Sequence, residues 1–178
     1  KHGISFTYLL HQDPGSPDKW RRTMDHTRAA RAEGAEILPQ VTLRPIGIIM
    51  GWQSSFHMFM GRPTYDAMAH LPFVDQVARL RDPMVRSAIL AEKSGKTPFE
   101  GTALRFEMMF RLERSDGTLN YEPTREDSIE AIAARYGKSA DEVIYDMMME
   151  KDGNGYVYVV LVNYGDFNLD FVYDPMHD

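Results

Sequence analysis

Cysteine is absent from the 178 residues, and with it go thiolate catalysis, disulfide stapling and any zinc site built on thiolates. No apolar run approaches the roughly 20 residues needed to span a bilayer, and no signal peptide is visible. Lys and Arg form no basic window interleaved with aromatics, and the net charge of −6 argues against nucleic acid as a partner. HExxH, GxSxG and a phosphate-binding glycine loop are missing, so metalloprotease, serine hydrolase and nucleotide-binding chemistry lack their signatures. There is no internal repeat. What is present is a 43% hydrophobic chain with ordinary Pro and Gly content, enough to bury a core as one domain. It reads as soluble and cytoplasmic, without a membrane partner.

The stretch Gly34 to Trp52, GAEILPQVTLRPIGIIMGW, organises the rest. A glycine suited to a helix C-cap leads into a β-prone run, Ile37 to Leu43, which breaks at Arg44-Pro45 before a loop carrying Gly47 and Gly51. Upstream, Ile4 to Leu10 reads as a strand buried on both faces, and Ser16-Pro17 as the N-cap and first turn of a helix running to Gly34. Strand, helix, strand over this length predicts a parallel βαβ unit with a right-handed crossover. In such units the loops after the strand C-termini carry chemistry, which singles out His11, Gln12, Gln40, Thr42 and Arg44. Taken singly, Arg44 also fits a surface ion-pair residue and Gln40 a residue facing a neighbouring helix.

Beyond Trp52, Ser54 to Arg62 lacks periodicity and predicts a long loop, in which His57 between aromatics fits a lid or packing role. One or two helical turns follow at Pro63 to His70. Phe73, Val74, Val77 and Leu80 form one helical stripe, and Asp82-Pro83 opens a further helix. Lys93 to Gly101 reads as a linker. Alternation in Arg105 to Glu113 predicts a strand, with a hairpin to Thr118–Tyr121 open as an alternative. Thr124 is expected to cap a helix ending at Gly137, and Ser139 with Glu142 forms a capping box for the next. Asp152 to Gly155 is a turn, and Tyr156 to Val162 is the strongest strand, again of the doubly covered parallel kind. Asn163, Tyr164, Gly165 and Asp166 stand at its end, with Asn168 a candidate N-cap. Domain boundaries fall at 1–52 (βαβ unit), 53–120 (insertion) and 121–178 (helix pair, strand, start of a helix). His2, His26, His70 and His177 read as surface residues. The chain opens directly before a strand without an initiator Met and stops at the start of a helix, which points to an internal piece of a larger protein.

The RPIG segment after a strand, FVDQVARLRDPMVRSAIL, and YEPTREDSIEAIAARYGKSADEVIYDMMMEKDGNGYVYVVLVNYGDFNLDFV together resemble the D-aminoacylase (N-acyl-D-amino-acid deacylase) branch of the amidohydrolase superfamily. The likeness covers most of the chain and is most specific from Tyr121 to Asn168. It implies an α/β fold that is part of a TIM-type (β/α)8 barrel, about strands five to seven, with a largely helical insertion. It implies zinc at the strand C-termini and hydrolysis of the amide bond of N-acyl-D-amino acids. The family's His-x-His pair and its catalytic Asp fall outside this sequence, so no catalytic residue lies within it and the piece alone is expected to be inactive. His11 is the candidate metal ligand, with Phe6 the alternative occupant of that position. Arg44 stands where a second imidazole would be wanted, so either the metal site is altered or Arg44 clamps a substrate carboxylate. Gln40, Arg44, Tyr158, Asn163 and Asp166 are the implied substrate-binding residues, although a buried strand tyrosine is more often core. The other reading is a non-catalytic α/β ligand-binding or interaction module. Three strands cut from a barrel leave open edges and an uncovered face, predicting self-association or pairing with missing segments.

Overall fold

The computed structural model describes residues 3–94 and 105–174, so most of the 93–101 linker, with His2 and His177, lies outside the described residues. Strand β1 (Phe6–Leu9), helix α1 (Lys19–Ala32) and strand β2 (Ile37–Gln40) form the expected parallel βαβ unit, in the register Phe6↔Ile37 to Leu9↔Gln40. Helix α1 starts two residues later than the Ser16-Pro17 signal: Ser16 is used in a bridge to Asp13, and Asp18 takes the N-cap without a side-chain bond. Trp20, Met24 and Thr27 are buried on α1. Trp20 and Met24 pack with Leu10, Phe171 and Val172, each large apolar side chain contributing about 1.5–3 kcal/mol. Tyr8 reaches α1 through a 2.5 Å bond between its hydroxyl and Thr27 Oγ1.

These contacts fix the sidedness of the sheet. Tyr8, Leu10 and Val41 lie on the α1 side, so the two-residue period puts Thr7, Leu9 and His11 on the other face with Leu38, Gln40 and Thr42. That face is open, with Leu9 52% and Leu38 54% exposed. The 4–10 run was expected to be covered on both faces; α1 covers one.

The loop expected after Arg44-Pro45 is instead a strand, β3 (Ile46–Met50). Pro45 immediately precedes it, where a missing N–H costs nothing, and Gly47 falls on an exposed position of the alternating strand. There follow an irregular segment, then α2 (Pro63–Asp66), α3 (Phe73–Leu80) and α4 (Pro83–Ala91), the last capped by Asp82, whose carboxylate accepts from the Met84 N–H. On α3 it is Gln76, Val77 and Leu80 that are buried, while Val74 of the expected stripe is 73% exposed. The 105–113 alternation resolves into a 3₁₀ turn at Phe106–Met108 and a short strand β4 (Met109–Arg111). Beyond it the chain doubles back: the Asn120 N–H donates to the Leu112 carbonyl, the hairpin-like alternative. Thr124 caps a 3₁₀ turn, and α5 (Ile129–Tyr136) takes its own cap from Ser128 and ends on Gly137 at φ 64°. The Ser139–Glu142 capping box opens α6 (Ala140–Gly153). Strand β5 (Val157–Val162) and α7 (Asp170–Tyr173) complete the order.

The fold is mixed α/β with two small open sheets among the described residues, β1-β2 and β3-β5-β4. Strand β5 was expected beside β2 in one all-parallel sheet; it is instead the middle strand of the second sheet, antiparallel to β4. Once 46–50 forms a strand, β5 has a neighbour on each side, which explains how Val157 to Val160 come to be buried without β2. The chain divides into two compact units, one of residues up to Ile48 with Val160 onward, the other Ile49–Val159.

The second unit holds an aromatic cage. Trp52, Phe59 and Tyr65 stack with near-parallel rings, and His57 and Tyr145 meet Trp52 edge-on at centroid distances of 5.1 Å. The Tyr145 hydroxyl donates to the Leu80 carbonyl at 2.8 Å. Arg62, buried over the Phe59 ring, bonds the Ile89 carbonyl and pairs with Asp141 at 2.5 Å.

Candidate functional site

At the C-terminal end of the β1–β2 pair, the residues that sequence reasoning singled out separate into two groups. His11, Gln40 and Arg44 are exposed. The Gln40 carbonyl accepts from the Leu10 N–H, and by the strand's two-residue period its amide side chain lies on the open face with Leu9. Arg44 has no ion-pair partner among the described residues, its carbonyl being held by Thr42 Oγ1 at 3.3 Å. Within this unit, the C-terminal strand ends of a parallel pair thus present an imidazole, an amide and a guanidinium to solvent.

Asn163 and Asp166 are held differently. Asn163 is fully buried at φ 68°, a left-handed conformation that Asn tolerates better than most residues. Its Oδ1 accepts from the Gln12 backbone N–H at 2.8 Å, and its Nδ2 donates to Thr42 Oγ1 at 2.6 Å. The Asn163 N–H returns a bond to the Gln12 carbonyl. The Gln12 side chain, 3% exposed, completes the set: Oε1 accepts from the Gly165 N–H at 2.7 Å and Nε2 donates to Asp166 Oδ2 at 2.8 Å. A Cβ at Gly165 would meet Gln12 Oε1 and Pro14 Cα at 3.2 Å, so the position favours glycine. Asn163 and Gln12 therefore staple the 163–166 loop to the end of β1, and both bonding ends of each side-chain amide are already used.

Tyr158 belongs to the other unit, where it is 4% exposed, opposite Phe110 in the β4–β5 ladder and edge-to-face with Tyr121. The structure places it in core packing. Of the six residues expected at a site, it brings His11 and Gln40 to one open face with Arg44 on the adjoining loop, uses the buried Asn163 amide internally, leaves Asp166 exposed with its Oδ2 held by Gln12, and has Tyr158 in core packing.

Beside the staple, a cleft of about 360 Å³ is lined by Asp18, Asp166, Asp170 and Asp174 with Trp20 and Phe171 at its floor. Arg21 already spans it, lying over the Trp20 ring and pairing with Asp18 at 3.4 Å and Asp174 at 3.3 Å. Among the described residues no three His, Asp or Glu side chains converge as a metal site. His11 offers one imidazole, so the described residues do not by themselves fit zinc.

One polar pair went unread as a unit in the sequence. His57 and Trp52 are buried, and His57 Nε2 and Trp52 Nε1 have no hydrogen-bond partner among the described residues. His57 Nδ1 accepts from the Phe59 N–H at 3.2 Å, and burial lowers its pKa from 6.5 to about 4. The aromatics flanking His57 were the available signal, and they support packing over a lid. No family model, curated protein or solved structure matches the chain.

Proposed function

We propose that this chain supplies substrate-binding elements of an amidohydrolase that cleaves the amide bond of N-acyl-D-amino acids, as part of a (β/α)8 barrel. The observation that carries the reading is the open face of the β1–β2 pair, with His11 and Gln40 at its C-terminal end and Arg44 just beyond. In a barrel, the face turned away from the helix is the interior and the C-terminal rim is where substrates sit. With β5 in a separate sheet, the reading rests on the βαβ unit and not on three strands side by side.

An N-acyl amino acid presents a carboxylate and an amide. Arg44, exposed and without an ion-pair partner among the described residues, would take the carboxylate through its planar fork, and Gln40 can both donate to the acyl oxygen and accept from the amide N–H. His11 alone does not make a zinc site among the described residues. The lack of converging metal ligands among the described residues favours a second reading, a non-catalytic ligand-binding module that uses the same Gln40 and Arg44 face.

The test is deacylation by the full-length protein, purified with zinc available, across a panel of N-acyl-D-amino acids. Turnover is expected, with Arg44→Lys raising KM about tenfold because a point charge replaces a bidentate fork. No turnover on any member ends the first reading. Binding of the same compounds without turnover, lost in Arg44→Ala, is the outcome the second reading expects.

A further inference from the structure

The β1–β2 sheet has one closed edge and one open edge. In a parallel pair alternate residues turn their N–H and C=O toward the neighbour, and the bonds from Phe6 N–H to Glu36 and from Leu10 N–H to Gln40 show that Phe6, Tyr8 and Leu10 face β2. Ser5, Thr7 and Leu9 therefore turn theirs outward, and among the described residues no strand lies beyond β1. On the far side of β2, Pro39 occupies an outward position, and without an N–H it closes that edge to a regular ladder.

Edge strands are usually guarded by charge, proline or a bulge. Residues 4–10, ISFTYLL, carry no charge, and Ile4 and Phe6 are 75% and 57% exposed. A two-stranded sheet is marginal alone, and three or more strands are needed for independent stability.

We infer that β1 pairs antiparallel with β1 of a second copy of this chain, about a two-fold axis at Thr7, joining two β1–β2 pairs into one four-stranded sheet. An uncharged strand meets itself without like-charge repulsion, although the chain as a whole carries −6. The axis sets Thr7 opposite Thr7 and Phe6 opposite Tyr8, both favourable cross-strand pairs. Phe6 and Tyr8 already stack at 6.5 Å within one copy, so the pairing extends them into a row of four rings. Pairing over seven residues buries on the order of 500 Å² per copy, near the lower bound for a specific interface and in keeping with micromolar association. The contact leaves the face with His11 and Gln40 open, but it takes the edge that a neighbouring strand would occupy in a closed barrel, so it goes with the second, non-catalytic reading and competes with barrel closure.

Because the chain has no cysteine, Thr7→Cys places a single thiol on the axis. Directly opposite residues of a hydrogen-bonded antiparallel pair have Cα atoms about 5.5 Å apart, within disulfide reach. Mild oxidation is expected to give a covalent dimer of Thr7→Cys but not of Val74→Cys, a 73% exposed control in the second unit. In sedimentation equilibrium the unmodified chain is expected to dimerise, with Thr7→Lys weakening association about tenfold by facing like charges and leaving the circular dichroism unchanged. A chain that stays monomeric to about 200 µM overturns the inference. So does a dimer that Thr7→Cys fails to cross-link, or equal cross-linking by the two cysteine variants.

Discussion

Protonating His57 should cost the second unit stability as the pH falls below neutral. The ring is 0% exposed, and burial holds its pKa near 4 against 6.5 for a free imidazole. Its Nδ1 accepts the Phe59 N–H, so the neutral ring carries its proton on Nε2, which has no acceptor among the described residues. Adding a second proton turns Nδ1 from acceptor into donor against that N–H, inside walls made of Trp52, Phe59 and Tyr65 rings. Because the folded pKa lies below the unfolded one, the unfolded chain takes up the proton first as pH falls. Stability from this group is therefore complete above pH 6.5, is lost progressively between 6.5 and about 4, and changes no further below that. At 1.36 kcal/mol per pH unit the full loss is about 3 kcal/mol, most of which should have appeared by pH 4.5. For a domain stabilised by about 5–15 kcal/mol that is a large share.

The assay is urea unfolding of the unmodified chain and of His57→Asn at several pH values from 7.5 to 4.5. Asparagine keeps an acceptor near the Nδ1 position for the Phe59 N–H while removing the titration, and the exposed His11, His26 and His70 are common to both proteins. His57→Asn should start less stable, because the smaller side chain leaves space in the cage. Its decline toward pH 4.5 should be shallower by roughly 2–3 kcal/mol. Parallel pH profiles for the two proteins would refute the reasoning, since the titrating group would then lie elsewhere.

Three other outcomes follow from particular contacts. Lys151 and Asp152 sit at φ 50° and 57°, and Lys151→Gly should raise the unfolding free energy by about 1 kcal/mol by relieving left-handed strain, measured by chemical denaturation. Its exposed pairing with Glu113 is too weakly held to offset the gain. Arg62→Ala should cost about 3 kcal/mol, because it strips Asp141 of its partner and the Ile89 carbonyl of a donor; a cost below about 1 kcal/mol would show the pair to be solvated. Gly155→Ala should fail to give a cooperative thermal transition, since the added Cβ would land on the Met147 carbonyl oxygen, which is backbone and cannot swing away.

What could be read from the sequence was whatever depends on neighbours in the chain. The Ser139–Glu142 box, the Asp82-Pro83 start and the Gly137 stop are local bonding rules, and each stands where it was expected. The βαβ unit is legible for the same reason, from two apolar runs flanking one helical period, and with it the exposure of Gln40 and Arg44 at a strand end. Strand β3 was missed because Pro45 and Gly47 act as breakers in isolation; only the β3-β5-β4 sheet makes a strand of IGIIM, and that pairing spans more than a hundred residues. The staple is of the same kind. Gln12 and Asn163 lie 151 positions apart, and nothing near either one specifies that their amides will be consumed by Thr42, Gly165 and Asp166. Asn163 at the end of a strongly apolar strand looks like a ligand contact for the same reason that it serves as a latch: a short polar side chain that tolerates φ 68° can turn the chain and bond backwards at once. The discriminating property is whether its donors and acceptors are already taken. By that criterion Arg44 and Gln40 remain open to a ligand, and Asn163 holds the loop in place beside them.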